Sequence, residues 1–475
     1  MSNLLELQPP DLWQHFTALN SVPRPSKHEA RVIQHMQEFA RQLGLPVETD
    51  EAGNVLIGKP ASPGRENRPT VALQSHLDMV HQKNEGTRFD FATEGIRMRR
   101  EGDWVRAEGT TLGADNGIGV AAMMAVLASR DLVHPPLEAL FTIDEETGMT
   151  GARELRGGWL KAHTLLNLDT EDDDELTIGC AGGLDVVGSG RYAVEPVPQD
   201  HVVLGLKLDG LKGGHSGMDI HLGRGNANKL MNRFLLSSPA RVAWIDAGGL
   251  RNAIPREATA VVAVTDRAAF EESVREYAAI LSQEYALTDP DLRLRLVEGQ
   301  AEGVLELDFQ RRLLRVLQAL PNGVYRMSPD MPGLVQTSNN LARVLVKDGQ
   351  YSLQCLTRGS VQSEKHDMAA SVQAALELLG AEVELSGDYP GWTPRPESSI
   401  VKLMSGLYRE MFGQEPKVTA CHAGLECGIL GQNYPDMEMI SFGPNIRGAH
   451  SPDECVQVSS VQKFWKFLTA TLERL

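Results

Sequence analysis

Several side chains with nitrogen or oxygen donors follow apolar segments that are typical of strands or of a buried helix. The apolar segments VALQ, LEALFTI, LLNL and MEMISFG each run into such a residue or into the loop that carries it, and the turn TLGADNGIG carries a further one. In an open parallel sheet the carboxyl ends of the strands meet along one edge. We therefore expect five donors to converge there: His76, Asp115, one of Glu145 and Glu146, Asp169 and His450.

Two histidines and three carboxylates are the ligands expected for a pair of zinc ions with one bridging carboxylate. Adjacent side chains diverge, so one of Glu145 and Glu146 can bind metal while the other accepts a proton from water. Asp78, two residues after His76, is placed to orient the imidazole. The pattern predicts a metal-dependent hydrolase.

Each signal alone has a simpler interpretation. A single histidine such as His76 is more often structural than a ligand, and the glycines around His215 in GGHSG also fit a flexible turn. We interpret the acidic tract at residues 171–175 as a solvated loop without a function. The joint occurrence of these signals favours the metal site.

Composition narrows the class of protein. The net charge of −17 argues against a nucleic-acid partner, because phosphates would be repelled. Five cysteines without CxxC spacing argue against a disulfide framework. No basic leader and no long apolar run is present in the sequence, so we expect a cytoplasmic protein that does not bind a membrane.

The elements that must position these residues alternate between strand and helix. Buried strands are predicted at residues 71–74, 137–143 and 165–168, and a buried helix at residues 116–129. This favours an α/β fold with a largely parallel sheet. Longer, half-polar strands follow, and residues 292–385 repeat a similar order of elements. We predict a domain of residues 1–185 and 389–475, with an inserted domain of residues 186–388 built from two α+β halves.

Seven motifs resemble one family in the same order along nearly the whole chain. They are SHLDMV (75–80), GADNGIG (113–119), DEETG (144–148), NLDTED (167–172), GGHSG (213–217), RNAIP (251–255) and GAHSPDE (448–454). They are similar to the aminoacyl-histidine dipeptidases, also called Xaa-His or cytosolic non-specific dipeptidases, among the two-zinc aminoacylases and carboxypeptidases. HAGLECG (422–428) points to the dipeptidase branch. The resemblance implies a zinc-exopeptidase-like α/β/α sandwich with an inserted α+β lid of two ferredoxin-like halves.

The resemblance also implies metal ligands. His76 and Asp169 would hold one zinc ion, Glu146 and His450 the other, and Asp115 would bridge them. Mn²⁺ or Co²⁺ are candidates to replace zinc. The family has a cis peptide bond after the bridging aspartate.

Roles in catalysis and substrate binding follow from the same resemblance. Asp78 would orient His76, and Glu145 would be the general base. In the lid, His215 would polarise the scissile carbonyl and its oxyanion, with Asn252 beside it, and the guanidinium of Arg358 would bind the substrate carboxylate. Outside the lid, Gly424 would add a backbone contact to the substrate.

The expected activity is hydrolysis of Xaa-His and other unblocked dipeptides. The alternatives are an N-acyl amino acid deacylase, a tripeptidase or carboxypeptidase of the same group, and a catalytically inactive binding protein. The sequence does not fix the oligomeric state: a homodimer formed through the lid and a monomer are both compatible with it.

Overall fold

The computed structural model describes residues 4–475, apart from the side chain of Leu5. The chain divides into two units. Unit 1 comprises Met1–Gly179, Pro394–Ala420 and Leu425–Leu475, and unit 2 comprises Cys180–Thr393 and Cys421–Gly424. The assignment of residues 1–185 and 389–475 to a catalytic domain, and of residues 186–388 to a lid, stays a prediction.

The helices and strands are numbered in chain order. The helices are α1 (Pro10–Asn20), α2 (Ala30–Leu43), α3 (Ala114–Ala128), α4 (Glu145–Gly148), α5 (Thr150–Glu154), α6 (Ala227–Ser237), α7 (Arg267–Glu284), α8 (Leu307–Ala319), α9 (Gln362–Leu379), α10 (Ser399–Phe412), α11 (Glu426–Asn433) and α12 (Val458–Arg474). The first strands are β1 (Val47–Thr49), β2 (Val55–Lys59), β3 (Val71–His76), β4 (Met98–Glu101), β5 (Trp104–Ala107), β6 (Leu137–Thr142), β7 (Thr164–Asn167) and β8 (Glu175–Cys180). They are followed by β9 (Gly182–Arg191), β10 (Val194–Pro196), β11 (Val202–Asp209), β12 (Gly214–His215), β13 (Arg241–Gly248), β14 (Ala253–Ile254), β15 (Ala258–Val264), β16 (Arg293–Val297) and β17 (Gly303–Leu305). The last are β18 (Gly323–Met327), β19 (Val335–Lys347), β20 (Gln350–Gly359), β21 (Glu382–Tyr389), β22 (Lys417–Cys421), β23 (Glu438–Ser441), β24 (Ile446–Arg447) and β25 (Cys455–Gln457).

Unit 1 is organised around an eight-stranded sheet with the order β1-β2-β6-β3-β7-β23-β8-β22. Strand β3 runs parallel to β6 and β7, and β23 runs parallel to β7, so the four central strands share one direction. Every residue of β3 and β6 is buried, which explains their nearly continuous apolar sequences. The predicted α/β class is confirmed, but the sheet is mixed: its four central strands are parallel, and the outer strands β2 and β8 pair with them in antiparallel register.

Helix α3 packs against α1 and β3. Apart from Asp115 and the last residue, Ala128, its residues are buried, and Asp115 is its only charged residue. A helix that is apolar on all sides must be enclosed by protein. Asp115, on the first turn of this enclosed helix, therefore lies inside unit 1.

Unit 2 contains a nine-stranded sheet with the order β16-β11-β15-β13-β19-β20-β9-β21, to which β18 adds on β19. One half runs β11-α6-β13-β15-α7-β16 and the other β9-α8-β19-β20-α9-β21. Both halves have the order β-α-β-β-α-β and the same arrangement of strands in the sheet, so the prediction of two ferredoxin-like halves is confirmed. The repeat predicted over residues 292–385 was wrong at its start: the first strand of the second half is β9, and β16 completes the first half.

The acidic tract at residues 171–175 is only partly the solvated loop that was predicted: the side chains of Asp172 and Asp174 are exposed, whereas that of Asp173 is largely buried, and all three pair with basic side chains. Asp173 accepts from Lys463 at 2.8 Å, Asp174 lies 2.9 Å from Lys417, and Asp172 pairs with Arg447. The tract connects β7 to β8 inside unit 1. Among residues 4–475 the structure has no helix that is both long and apolar enough to cross a bilayer.

Candidate active site

All five predicted metal ligands come together in unit 1. One group joins His76, Asp115 and Asp169, and a second joins Asp115, Glu146 and His450; within each group the ligand atoms lie within 4.8 Å of one another. Asp115 belongs to both groups. Its Oδ1 lies 3.2 Å from Nε2 of His76, and its Oδ2 lies 3.2 Å from Nε2 of His450. A carboxylate that faces two histidines with different oxygens suits a bridge between two cations.

The sheet explains this convergence. His76 ends β3, Asp169 follows β7 by two residues, and Glu146 lies on the short helix α4 after β6. These three strands are parallel neighbours, so their carboxyl ends share one edge. His450 lies in the loop after β24 with φ of 64°, and its Nε2 is 3.0 Å from Glu146 Oε2.

The Asp115–Asn116 peptide bond is cis, as predicted. The side-chain amide of Asn116 donates to the carbonyl of Leu168 at 2.9 Å and to Asp169 Oδ1. Asn116 therefore connects the turn carrying Asp115 to the segment carrying Asp169.

Asp78 is fully buried and contacts two parts of the site. Its Oδ1 lies 3.4 Å from Nδ1 of His76, and its two oxygens accept the backbone N–H groups of Glu145 at 3.0 Å and Glu146 at 3.3 Å. Although burial opposes the shift, hydrogen bonds from His76 and Ser26 lower the pKa of Asp78. An ionised Asp78 can hold the His76 ring with Nε2 turned towards the other ligands.

Glu145 lies beside the ligands and forms a further close group with His76 and Glu146. Burial raises the pKa of Glu145 well above its usual range, and the charges of Asp169, Glu426 and Glu146 add to the shift against the effect of His76. The carboxylates crowd negative charge into a buried space, which a pair of divalent cations would balance.

The side chain of Glu146 provides a test of whether the site fits metal. Its Oε1 is buried and has no hydrogen-bond partner within the described part of the chain. Such an atom costs free energy unless another group binds it. Together with the histidine and carboxylate donors, this unpartnered oxygen fits divalent cations with nitrogen and oxygen ligands.

Two buried charged residues that the sequence did not reveal hold the loops of the site. Arg24 donates to the carbonyls of Leu77 and Asp78, both at 3.0 Å, and of Gly113 at 2.6 Å. Burial lowers the pKa of Arg24 to about 10. Gly113 has φ of 68°, and a Cβ there would lie 2.6 Å from the Arg24 guanidinium, so glycine is required.

Glu454 holds the turn around Gly113 by accepting hydrogen bonds from the backbone N–H groups of that turn. Its carboxylate accepts from the backbone nitrogens of Leu112 at 2.7 Å, Gly113 at 2.9 Å, Ala114 at 2.7 Å and Asp115 at 3.2 Å. Glu454 follows His450 by four residues, so one loop supplies a predicted ligand and fixes the backbone of another. Its place at the end of GAHSPDE was the only available signal.

A buried polar network lies among the four parallel strands. Gln74 on β3 donates to Thr142 on β6 at 3.1 Å and to Glu426 on α11 at 2.6 Å, and accepts from Asn167 on β7 at 2.5 Å. Asn167 in turn accepts from Ser441 on β23. Burial raises the pKa of Glu426 to about 7. The network connects the strands a few residues before their functional ends.

Three predicted substrate-binding residues come together in unit 2. His215 on β12 pairs with Ala253, and the carbonyl of Asn252 accepts from Ser216 at 2.8 Å. The guanidinium of Arg358 on β20 lies 3.5 Å from Nε2 of His215. Gly424 belongs to the segment Cys421–Gly424 of the same unit. Within residues 4–475 no hydrogen bond of the Asn252 side chain is seen, and Asn252 is exposed.

The tautomer of His215 follows from its contacts. Its Nδ1 accepts the backbone N–H groups of Gly217 at 3.2 Å and Met218 at 3.0 Å. Burial and the nearby Arg358 lower the pKa of His215, so the neutral ring carries its proton on Nε2. Nε2 is therefore a hydrogen-bond donor.

Residues 72–474 match the profile of Peptidase family M20/M25/M40. The chain belongs to this peptidase family. Its relatives include the cytosol non-specific dipeptidase of Escherichia coli (strain K12), 44% identical over 100% of this chain and 99% of that one. The crystal structure of aminoacylhistidine dipeptidase from Vibrio alginolyticus superposes with a TM-score of 0.94 at 44% identity, covering 100% of this chain and 98% of that one. Aminopeptidase PepT from Bacillus cereus ATCC 10987, at 15% identity, a TM-score of 0.59 and 98% coverage of each chain, has a similar fold.

Proposed function

We propose that this protein is a metal-dependent dipeptidase that hydrolyses Xaa-His and other unblocked dipeptides. The observation that carries the proposal is the pair of ligand groups that share Asp115, with Glu145 beside them. Both relatives at 44% identity are named as dipeptidases, in agreement with the activity predicted from sequence. The predicted cytoplasmic location agrees with the name of the E. coli relative.

We propose that two Zn²⁺ ions bind here, one held by His76 and Asp169 and one by Glu146 and His450, with Asp115 between them. Metal ions in such sites lower the pKa of water and polarise the scissile carbonyl. Mn²⁺ and Co²⁺ stay candidates for the same ligands. A homodimer through unit 2 stays a prediction.

The chain's own residues supply proton transfer and orientation. Glu145 is the general base: it accepts a proton from the attacking water and delivers it to the leaving amine. Its backbone N–H is held by Asp78 at 3.0 Å, so the carboxylate that orients His76 also fixes the main chain of the base. In unit 2, His215 donates from Nε2 to the oxyanion, and Asn252 and Gly424 line the same subsite.

The substrate carboxylate binds Arg358 in this proposal. Arg358 is 4% exposed, and within the described residues 4–475 its polar contacts are to the neutral residues Ser216, Tyr389 and His215. A buried guanidinium without a carboxylate partner favours binding of an anion.

The proposal is tested with a panel of dipeptides, with and without chelator, on the wild type and on Glu145→Ala. We expect Glu145→Ala to lose at least about 100-fold in kcat while its metal content is unchanged, because positioned acid–base groups contribute about 10²–10⁴-fold. The control is Glu154→Ala on α5, an exposed glutamate close in sequence, which should keep full activity.

The main alternative is a deacylase of the same family. Hydrolysis of Ala-His but not of acetyl-His supports the dipeptidase, and the reverse preference would support the deacylase. Full kcat in Glu145→Ala, or loss of its metal, would contradict the role assigned to Glu145.

A further inference from the structure

The guanidinium of Arg358 uses two of its five N–H groups within unit 2. Nε donates to the hydroxyl of Ser216 at 3.3 Å, and Nη1 donates to the phenol of Tyr389 at 2.9 Å. His215 Nε2, 3.5 Å from Nη2, carries a proton and is not an acceptor. Three N–H groups, one on Nη1 and two on Nη2, therefore remain for a bound carboxylate.

Tyr389 is brought to the guanidinium by an irregularity in the sheet. Strand β21 pairs with β9 in regular antiparallel register as far as Ser386 opposite Asp185, and then shifts so that Tyr389 is opposite Gly183. The extra residue forms a β-bulge next to Gly387, which has φ of 63°. Bulges next to functional sites change the direction of a side chain. Here the bulge places the Tyr389 phenol on Arg358.

The ring of Tyr389 lies directly against Gly183. A Cβ on Gly183 would be 2.6 Å from Cε1 of the ring and 2.7 Å from the phenol oxygen. Any larger residue on that strand position would displace the phenol. The glycine therefore keeps the hydroxyl at its distance from Arg358.

The backbone of Tyr389 is held by a fully buried lysine. Nζ of Lys365, on α9, donates to the carbonyl of Tyr389 and to Asp388 Oδ1, both at 2.5 Å. Lys365 is 0% exposed. Burying a lysine is costly unless it is paired, and the pairing here is with the two residues that end β21. The bulge, the glycine and the lysine all fix the position of one phenol.

We propose that Tyr389 binds the substrate's carboxylate together with Arg358 and sets the preference for peptides with a free C-terminus. The phenol oxygen accepts from Nη1 of Arg358, and its own O–H donates to a carboxylate bound at the terminal nitrogens of the guanidinium. This inference rests on the proposed function, because it assigns the carboxylate to a dipeptide.

The test compares Tyr389→Phe with Tyr351→Phe. Tyr351 on β20 is a matched control: it is opposite Gly190 of the same strand β9, and a Cβ on that glycine would lie 2.5 Å from its phenol oxygen. For each metal-loaded protein the KM for Ala-Ala and the inhibition constant for Ala-Ala amide are measured. We expect Tyr389→Phe to raise the KM about 10-fold, as for loss of a hydrogen bond to a charged group, with kcat and amide binding unchanged. Tyr351→Phe should change neither constant.

Gly183→Ala should reproduce the loss without removing the hydroxyl, because the new Cβ displaces the ring. An unchanged KM in Tyr389→Phe, or equal weakening of the acid and the amide, would overturn the inference and leave the dipeptidase proposal standing. If the wild type hydrolyses acetyl-alanine in place of Ala-Ala, the proposed dipeptidase function is refuted. The KM for acetyl-alanine and the inhibition constant for its amide are then measured in the same way. A weaker preference of Tyr389→Phe for the acid over the amide supports the carboxylate role, and an unchanged preference overturns it.

Discussion

Replacing Glu454 by glutamine should weaken metal binding although Glu454 is not a predicted ligand. Its carboxylate accepts four backbone N–H groups around Asp115. The glutamine oxygen can keep two of these bonds, whereas its NH₂ group would face the other two donors. Two bonds to a charged group are lost at about 1.5–3 kcal/mol each, so the turn is destabilised by at least about 3 kcal/mol. Because the turn positions Asp115, we expect metal affinity to fall by about 10–100-fold.

The assay is competition for Zn²⁺ against a chromophoric chelator, together with urea unfolding of the metal-free protein. The matched control is Glu438→Gln. Glu438 accepts the backbone N–H groups of Ser399 at 3.2 Å and Ile400 at 3.1 Å at the start of α10. This control should lose stability and keep wild-type metal affinity. Wild-type affinity in Glu454→Gln, or an equal loss in both variants, would refute the reasoning.

Two further predictions concern stability. Burial lowers the pKa of His422 to about 3 from its usual 6.5, so the unfolded chain binds a proton between these values and the folded chain does not. The wild type should therefore lose up to about 1.4 kcal/mol of unfolding free energy per pH unit as pH falls below about 6.5, and His422→Gln should lack this component in urea unfolding; parallel pH curves would contradict it. Gly151→Ala should cost about 1–3 kcal/mol, because its Cβ would lie 2.3 Å from Asn54 Oδ1, whereas Gly406→Ala on α10, with open space around it, should raise the melting temperature.

The strands that carry the predicted ligands could be predicted from the sequence because both of their faces are buried. Strands β3, β6 and β7 are short apolar runs that end in polar residues, and a parallel sheet brings such ends together. That rule brings together His76, Glu146 and Asp169, whereas Asp115 reaches the same edge from the first turn of α3 and His450 from a loop. The ligand roles, and the catalytic roles of Glu145 and His215, stay predictions.

Arg24 and Glu454 could not be recognised because most of their hydrogen-bond partners are main-chain atoms. A carbonyl or N–H group has no signature in the sequence, so a residue that binds one looks like any other charged residue. Tyr389 was missed for a related reason: its position depends on a bulge, and no local pattern in DYPGW predicts a shift of register. Strand β9 was misassigned because its half of unit 2 is interrupted by the whole of the other half, and its four glycines weaken the strand pattern.

The network of Gln74, Thr142, Asn167, Ser441 and Glu426 has a consequence for engineering. The network links the four parallel strands close to the ends that carry the predicted ligands. A shift of any one strand by one residue would turn its polar side chain to the other face of the sheet. The remaining polar side chains of the network would then be buried without hydrogen-bond partners. Attempts to retarget this enzyme by reshaping the sheet edge should therefore yield misfolded protein. Substitutions around Arg358 and Tyr389 leave those strands untouched, which makes unit 2 the natural starting point for directed evolution of new substrate preferences.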